Sequence, residues 1–124
     1  MQRVIFTDLD GTLLDFQNYS YTEAAPLVKQ LQERDIPIVF CSSKTRAEQE
    51  FYRRALDNHS PFIVENGSAI LIPKNYFSFS IADVLNQYPV DETVDFWQVV
   101  LGKTNSYIRS VIQQAREEVG INLS

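Results

Sequence analysis

One segment near the start of the chain decides the fold: Arg3-Val4-Ile5-Phe6-Thr7-Asp8-Leu9-Asp10-Gly11-Thr12-Leu13-Leu14. Its first part is β-branched and aromatic, which predicts a buried strand, and the strand stops at a turn that contains Asp and Gly. Ligands of open α/β sheets bind at the carboxyl ends of the strands. The carboxylates of Asp8 and Asp10 therefore stand where chemistry is expected, and Gly11 lets the chain turn away from a substrate.

Two other interpretations of this turn have to be weighed. An Asp-x-Asp-Gly segment also fits an Asx-type turn that carries no chemistry. An EF-hand calcium loop would need Gly at its sixth position and Glu at its twelfth. Counted from Asp8, these positions hold Leu13 and Tyr19, which excludes the calcium loop.

Helical and strand-like segments alternate after this turn. The apolar spacing and the turn residues predict, in order, a helix capped by Thr22 with Pro26 in its first turn, a strand at 36–41 covered on both faces, a helix at 46–56, a strand at 61–65, a turn at Asn66-Gly67 and a returning strand at 69–72. The helix at 46–56 begins with the capping-box pattern of Thr45 and Glu48. Strands that alternate with helices in this way predict a parallel α/β sheet.

The character of the sequence changes after Pro73. The pattern predicts a short helix at 81–87, a strand at 95–101 and a helix at 106–119 that ends at Gly120. We therefore place a domain boundary near residue 80, with one unit at residues 1–80 and another at residues 81–124.

Composition limits the function classes. The 124 residues include 11 basic and 16 acidic side chains, for a net charge of −5, and this balance argues against a general nucleic-acid or anionic-membrane surface. No apolar run reaches the roughly 18 residues of a membrane span, and no signal-peptide pattern is found, so the expected location is cytoplasmic.

The single cysteine, Cys41, cannot form an internal disulfide and is expected to be a small buried strand residue. The lone His59 is expected to lie in a surface connection.

Three segments resemble motifs of the haloacid dehalogenase superfamily of phosphohydrolases. Residues 4–13 (VIFTDLDGTL) are similar to motif I, residues 37–46 (PIVFCSSKTR) to motif II, and residues 61–70 (PFIVENGSAI) to the segment that follows in members with a large α/β cap. The succession of SSKTR, ENGSAI and IPKNYF is most similar to the mannosyl-3-phosphoglycerate phosphatases within this superfamily. The resemblance implies a partial Rossmann-like parallel sheet core followed by the beginning of an α/β cap.

The resemblance also implies roles for individual residues. Asp8 would attack phosphorus and bind Mg²⁺, with the backbone carbonyl of Asp10 as another ligand, while the Asp10 carboxylate would act as general acid and base. Ser42 would donate a hydrogen bond to the phosphoryl group at the start of the helix near Thr45. The other substrate-side residues would be Thr12, Ser43, Lys44, Arg46 and Asn66. The implied reaction is Mg²⁺-dependent hydrolysis of a small phosphorylated sugar, mannosyl-3-phosphoglycerate, through an aspartyl-phosphate.

Two later elements of the superfamily pattern do not occur in the 124 residues: a Lys or Arg that neutralises the phosphoryl group, and a GDxxxD-like acidic loop. We therefore expect an incomplete core and cap with impaired activity. The first strand would lie at a sheet edge, which predicts an edge-to-edge homodimer or aggregation. The rival hypothesis is a noncatalytic α/β module that binds anions, and Mg²⁺-dependent phosphate release distinguishes the two.

Overall fold

The computed structural model describes residues 2–103 and 105–120, without the side chain of Asn105. The strands are β1 (Ile5–Thr7), β2 (Ile38–Cys41), β3 (Phe62–Val64), β4 (Ala69–Pro73), β5 (Val90–Glu92) and β6 (Phe96–Val100). The helices are α1 (Ala25–Glu33), α2 (Arg46–Ala55), α3 (Ile81–Val84) and α4 (Asn105–Val119).

The described strands form one mixed sheet in the order β1-β2-β3-β4-β6-β5. β1, β2 and β3 are parallel, with Thr7 beside Phe40 and Phe40 beside Phe62. β3 and β4 form an antiparallel hairpin, and β6 pairs antiparallel with both β4 and β5. The predicted α/β fold with three parallel strands and a returning fourth strand is confirmed.

The main core lies on one face of this sheet. The registers place Ile38, Phe40, Phe62 and Leu71 on that face, and all four are at most 2% exposed. Val28 of α1 and Leu56 at the end of α2 belong to the same apolar cluster, so both helices cover this face. A smaller cluster of Ile72, Ile81 and Val99 occupies the opposite face.

One charged side chain, that of Arg53, is buried against aromatic residues of the main core. Arg53 of α2 is 7% exposed, and its guanidinium lies 4.4 Å from the Phe62 ring centre and 5.4 Å from that of Phe96. Its Nη2 donates a 2.8 Å hydrogen bond to the Ser60 carbonyl. Burial lowers the pKa of Arg53 to about 10, against a weaker opposing effect of Glu50. Arg53 thus links β3 to β6, which follows it by more than 30 residues.

The helix boundaries differ from the sequence prediction at two places. Thr22 does not cap α1, because the helix begins at Ala25 with Ala24 as an N-cap that makes no side-chain hydrogen bond. Pro26 does lie in the first turn, as predicted. The helix predicted at 81–87 is one turn long, Ile81–Val84, since Leu85 leaves the helical conformation with φ −103° and ψ 57°. α4 and the left-handed Gly120 that follows it agree with the prediction.

A strand that the sequence analysis did not predict, β5, pairs with β6. Its sequence Val90-Asp91-Glu92 has only one apolar residue, so it carries no strand signal of its own. Pairing with β6 supplies the stabilisation that side-chain propensity does not. Because β4 also pairs with β6, the sheet is continuous across residue 80, where the domain boundary stays a prediction.

β1 lies at the edge of the described sheet, as expected for an incomplete core, so the first expectation, that this strand is buried, is wrong. Val4 is 51% exposed and Phe6 is 65% exposed, and β1 has β2 as its one partner in the described sheet. β2 is buried on both faces from Ile38 to Phe40, but Cys41 at its end is exposed, against expectation. His59 is exposed, as predicted.

The apolar residues of α4 are also exposed. Ile108, Val111 and Ile112 are each 45–50% accessible to solvent. No helix in the described ranges is long and apolar enough to cross a membrane.

We expect the 124-residue chain to self-associate through the free edge of β1. Phe6→Lys should weaken this association, since a charge on an edge strand opposes pairing with another chain. Val94→Lys is the matched control, because Val94 is 89% exposed in the connection between β5 and β6. Light scattering as a function of concentration measures the effect, and a wild-type chain that stays monomeric at high concentration would contradict the expectation.

Candidate active site

The turn after β1 is anchored by two leucines. Leu9 is fully buried and Leu14 is 2% exposed, and the Leu14 N–H donates a 2.8 Å hydrogen bond to the Leu9 carbonyl. Gly11 has φ +74°, a conformation that disfavours other residues. Because Leu9 is fixed in the core, it holds Asp8 and Asp10 on either side of it at the carboxyl end of β1, where Asp8 is exposed and Asp10 is partly buried.

Asp8 follows β1 directly and its side chain is exposed. Its Oδ1 accepts a 2.7 Å hydrogen bond from the Leu9 N–H. A hydrogen bond from the buried end of the turn fixes the direction of the carboxylate. The structure therefore places Asp8 at the carboxyl end of a parallel strand, as the sequence predicts.

The turn after β2 lies next to this site. Ser42 is 5% exposed, and its Oγ accepts a 3.1 Å hydrogen bond from the Lys44 N–H. The Ser42 N–H donates to the Ile63 carbonyl at 3.3 Å, which continues the pairing of β2 with β3 beyond the strands. Ser42 is thus part of the backbone scaffold, with its hydroxyl close to the first turn of α2.

Gln49 joins α2 to both of these strand ends. The side chain is fully buried, and Nε2 donates to the Lys44 carbonyl at 3.1 Å and to the Ile63 carbonyl at 2.9 Å. Buried amides of this kind are placed by their hydrogen bonds. Gln49 therefore sets the height of α2 above the turn that carries Ser42 and Lys44.

Lys44 reaches across to the turn after β1. Its Nζ lies 3.2 Å from Asp10 Oδ1 and 3.6 Å from Glu48 Oε2. The side chain of Lys44 is 12% exposed and that of Asp10 is 34% exposed. The ammonium also lies 4.8 Å from the ring centre of Tyr19 and 5.7 Å from that of Tyr52. Lys44 is thus an enclosed cation and not a solvated surface side chain.

The surroundings of Lys44 change its pKa in two opposing ways. Burial is the largest single effect and lowers the pKa, but contact with Asp10 and the negative charge of Asp10 and Glu48 together raise it above 10.5. Lys44 therefore carries a full positive charge at neutral pH.

The turn after β3 is the third turn at the carboxyl ends of the parallel strands. Glu65, Asn66 and Gly67 all have positive φ, with values of 49°, 58° and 91°. The Asn66 N–H donates to the Ser42 carbonyl at 3.2 Å, and the Glu65 N–H donates to the Lys44 carbonyl at 3.3 Å. These two bonds hold the left-handed turn against the loop of Ser42, with Asn66 exposed beside it.

The remaining predicted residues are less closely associated with Asp8 and Asp10. Ser43 is exposed between Ser42 and Lys44. Thr12 is exposed and borders a cavity of about 820 Å³ on the side of β1 and α1. Arg46 turns along α2, where its Nε is 3.6 Å from Glu50 Oε1 and its guanidinium carbon is 5.1 Å from the Phe96 ring centre. The structure thus joins Lys44 to Asp10 and directs Arg46 elsewhere.

Sequence reasoning missed the two aromatic residues that enclose Lys44. Tyr52 had a usable signal, because it lies four residues after Glu48 on α2, and Glu48 lies four residues after Lys44, which directly precedes the N-cap of that helix. Tyr19 had none, since it comes from an irregular loop and has a φ of 57°. Gln49 also lacked a signal, because a buried amide cannot be told from an exposed one by residue type.

The predicted capping box at the start of α2 is present. Thr45 Oγ1 accepts from the Glu48 N–H at 3.4 Å, and Glu48 Oε1 accepts from the Thr45 N–H at 3.2 Å. The hydrogen bonds from the backbone and side chain of Thr45 lower the pKa of Glu48, with a smaller contribution from Lys44.

Oxygen donors suited to Mg²⁺ are present at this edge. The exposed Asp8 carboxylate and the backbone carbonyl of Asp10 are ligand types that Mg²⁺ accepts, with water in its remaining positions. Over residues 2–103 and 105–120, no group of three or more His, Cys, Asp or Glu side chains is close enough to hold a metal ion.

We expect Gln49→Leu to destabilise the chain by about 1–3 kcal/mol, because it keeps the side-chain volume but removes both hydrogen bonds to buried carbonyls. Urea unfolding followed by circular dichroism measures the change. Gln30→Leu on the exposed side of α1 is the matched control. Equal stability of the Gln49 and Gln30 variants would show that the two bonds contribute nothing net.

We expect the stabilisation by Glu48 to depend on pH. Since folding lowers its pKa below the ordinary 4.5, its contribution is present above that pH and is lost as the pH falls through the lowered pKa. The difference in Tm between wild type and Glu48→Gln should therefore narrow between pH 6 and pH 3. Thermal unfolding at fixed ionic strength measures it, with Glu33→Gln on α1 as the control for loss of one charge. A difference that stays constant across this range would contradict the assignment.

Comparisons with known proteins show which family this sequence resembles. Residues 5–118 match the haloacid dehalogenase-like hydrolase family. The glucosyl-3-phosphoglycerate/mannosyl-3-phosphoglycerate phosphatase of Methanococcoides burtonii is 44% identical over 124 residues, which are 100% of this chain and 43% of that protein. The mannosyl-3-phosphoglycerate phosphatase of Pyrococcus furiosus is 45% identical over 121 residues, which are 98% of this chain and 46% of that protein.

Solved structures share the fold. A hypothetical protein from Geobacillus kaustophilus superimposes with a TM-score of 0.58 at 19% identity, over 95% of this chain and 38% of that one. A haloacid dehalogenase-like hydrolase from B. subtilis gives a TM-score of 0.55 at 19% identity, over 96% of this chain and 34% of that one. The chain spans less than half the length of the curated relatives that it matches. The family match over nearly the whole sequence, together with these relatives, shows that the chain belongs to the haloacid dehalogenase-like hydrolases.

Proposed function

We propose that this chain carries the nucleophile and the general acid–base group of a sugar-phosphate phosphatase. The observation that supports the proposal most directly is the pair Asp8 and Asp10 at the carboxyl end of β1, with the Lys44 ammonium 3.2 Å from Asp10. An exposed carboxylate at a strand end, followed two residues later by a carboxylate that contacts an enclosed cation, suits the transfer of a phosphoryl group, in which negative charge has to be offset.

In the proposed reaction, a carboxylate oxygen of Asp8 forms a bond to phosphorus while the bond between phosphorus and the ester oxygen breaks. The protonated carboxyl of Asp10 gives its proton to the leaving oxygen. Asp10 then takes a proton from water, whose oxygen attacks the phosphorus and releases phosphate and free Asp8. The geometry supports this division, because the Asp8 carboxylate is exposed and accepts from the Leu9 N–H, whereas the Asp10 carboxylate contacts Lys44.

We propose that the Asp8 carboxylate and the Asp10 carbonyl hold Mg²⁺. The ion would lower the repulsion between the nucleophilic carboxylate and the phosphate dianion. Ser42, whose Oγ accepts from the Lys44 N–H, retains its hydroxyl hydrogen for a phosphoryl oxygen. Thr12, Ser43, Lys44, Arg46 and Asn66 are the further substrate-side residues of this proposal.

The proposed substrate is mannosyl-3-phosphoglycerate. The names of the relatives from Methanococcoides burtonii and Pyrococcus furiosus support it, at 44% and 45% identity. The first of these names also includes glucosyl-3-phosphoglycerate, so the two glycosyl esters are the substrates to compare first.

We expect the 124-residue chain to hydrolyse mannosyl-3-phosphoglycerate at least about 1000-fold more slowly than the Methanococcoides burtonii protein. These residues contain neither the acidic loop nor the later cation of the superfamily, and loss of one electrostatic donor costs roughly 10²–10³ in rate. Phosphate release with Mg²⁺ measures the difference. A rate close to that of the longer relative would contradict the expectation.

Within the short chain, Asp8→Asn should abolish the residual turnover and Asp10→Asn should nearly abolish it. Asp83→Asn is the matched control, because Asp83 is exposed on α3. Turnover that survives Asp8→Asn would reject the nucleophile assignment. Binding of phosphate or vanadate without any Asp8-dependent hydrolysis would favour the noncatalytic anion-binding module.

A further inference from the structure

Lys44 is held from several directions before it meets Asp10. Tyr19 comes from the loop that follows the Asp8–Leu14 turn, and Tyr52 and Glu48 come from α2. Its own backbone is fixed as well, because its N–H donates to Ser42 Oγ and its carbonyl accepts from Gln49 Nε2. An ammonium on a flexible stem loses much of its mobility in such surroundings.

The Asp10 side chain is less restricted than its partner. The Asp10 side chain is 34% exposed, against 12% for Lys44, and its buried Oδ1 has the Lys44 ammonium 3.2 Å away and no hydrogen-bond partner among the described residues. Of the two partners, Lys44 is therefore the fixed one. Both partners attract each other, but the less mobile one sets the geometry of the pair. The Lys44 ammonium therefore determines where the Asp10 carboxylate lies.

We propose that Lys44 is a positioning residue for Asp10, fixing its carboxyl group for proton transfer to the leaving oxygen. The proposal rests on the acid–base role assigned to Asp10 above and assigns Lys44 a task besides contact with the substrate anion. A proton donor has to lie within hydrogen-bond reach of the leaving oxygen, so a misplaced Asp10 slows the reaction in proportion to how much protonation the leaving group needs.

The contact itself is tested without substrate or metal. The Asp10 carboxyl carbon is observed by ¹³C NMR at pH 7 in the wild type and in Lys44→Met, Lys44→Arg and Lys29→Met. We expect a shift of the Asp10 resonance in Lys44→Met, its recovery in Lys44→Arg and no change in Lys29→Met, since Lys29 is exposed on α1. The Asp15 resonance reports whether the neighbouring loop keeps its fold.

A second variant keeps this test decisive if Lys44→Met does not fold. Tyr52→Leu removes one ring from the ammonium and leaves every charge in place. It should move the Asp10 resonance in the same direction as Lys44→Met, by a smaller amount. An Asp10 resonance that is the same in all folded variants overturns the proposal.

The role is tested with two esters that differ in leaving group. Glycerol 1-phosphate releases an alkoxide that needs a proton, whereas p-nitrophenyl phosphate releases a phenolate that needs little help. With excess protein and Mg²⁺, Lys44→Met should lower kcat about 100-fold for the first ester and less than about 10-fold for the second, whereas any effect on KM should be the same for both esters. Lys44→Arg should restore most of the loss, and Lys29→Met should match the wild type.

The outcomes separate the two proposals. Equal losses on both esters, or a rise in KM alone, would mean that Lys44 acts on the phosphoryl group or on substrate binding, which overturns the positioning role. Release that does not depend on Asp8 with either ester would reject the phosphatase function itself, and the positioning role with it. A larger loss on the alkyl ester together with the NMR shift supports the proposal.

Discussion

Parallel pairing of β1, β2 and β3 is the constraint on which the rest of this structure depends. The carboxyl ends of parallel strands lie at the same end of the sheet, so the three turns that follow these strands have to pack side by side. The bonds from Ser42 to Ile63, from Glu65 to Lys44 and from Asn66 to Ser42 show how closely the second and third turns fit. The first turn, which carries Asp8 and Asp10, is joined to them through side chains.

Because the turn after β1 is joined to its neighbours through side chains, its position depends on charged groups more than the positions of the other two turns do. Backbone hydrogen bonds join the turns after β2 and β3, whereas an ion pair between Lys44 and Asp10 joins the turns after β2 and β1. An ion pair near the surface is weaker than a network of buried hydrogen bonds and is sensitive to what else binds there. The ion pair therefore lies at the turn that carries Asp8 and Asp10, and the backbone hydrogen bonds lie between the two turns beside it.

The sequence predicted the elements well where one local signal was enough. The apolar run of β2, the capping box of Thr45 and Glu48, and the Gly at the end of α4 each act within a few residues. Predictions failed where a neighbour decides the outcome. Phe6 has the composition of a core residue but is exposed, and Val90–Glu92 became a strand through its partner β6. The positions of Asp8 and Asp10 followed from the motif, whereas the contact of Lys44 with Asp10 depends on packing that no local pattern encodes.

The order of strands in the sheet has a consequence for how the chain folds. β3 and β4 meet across a short turn, whereas β1 reaches β2 only after the whole of α1 has been laid down between them. Closing a longer loop costs more chain entropy before any contact compensates for it, so distant parallel pairs form late. The hairpin of β3 and β4 is thus the natural nucleus. Because the pairing of β1 with β2 closes a loop of about 30 residues, we expect the strand that carries Asp8 and Asp10 at its end to join the sheet after this hairpin.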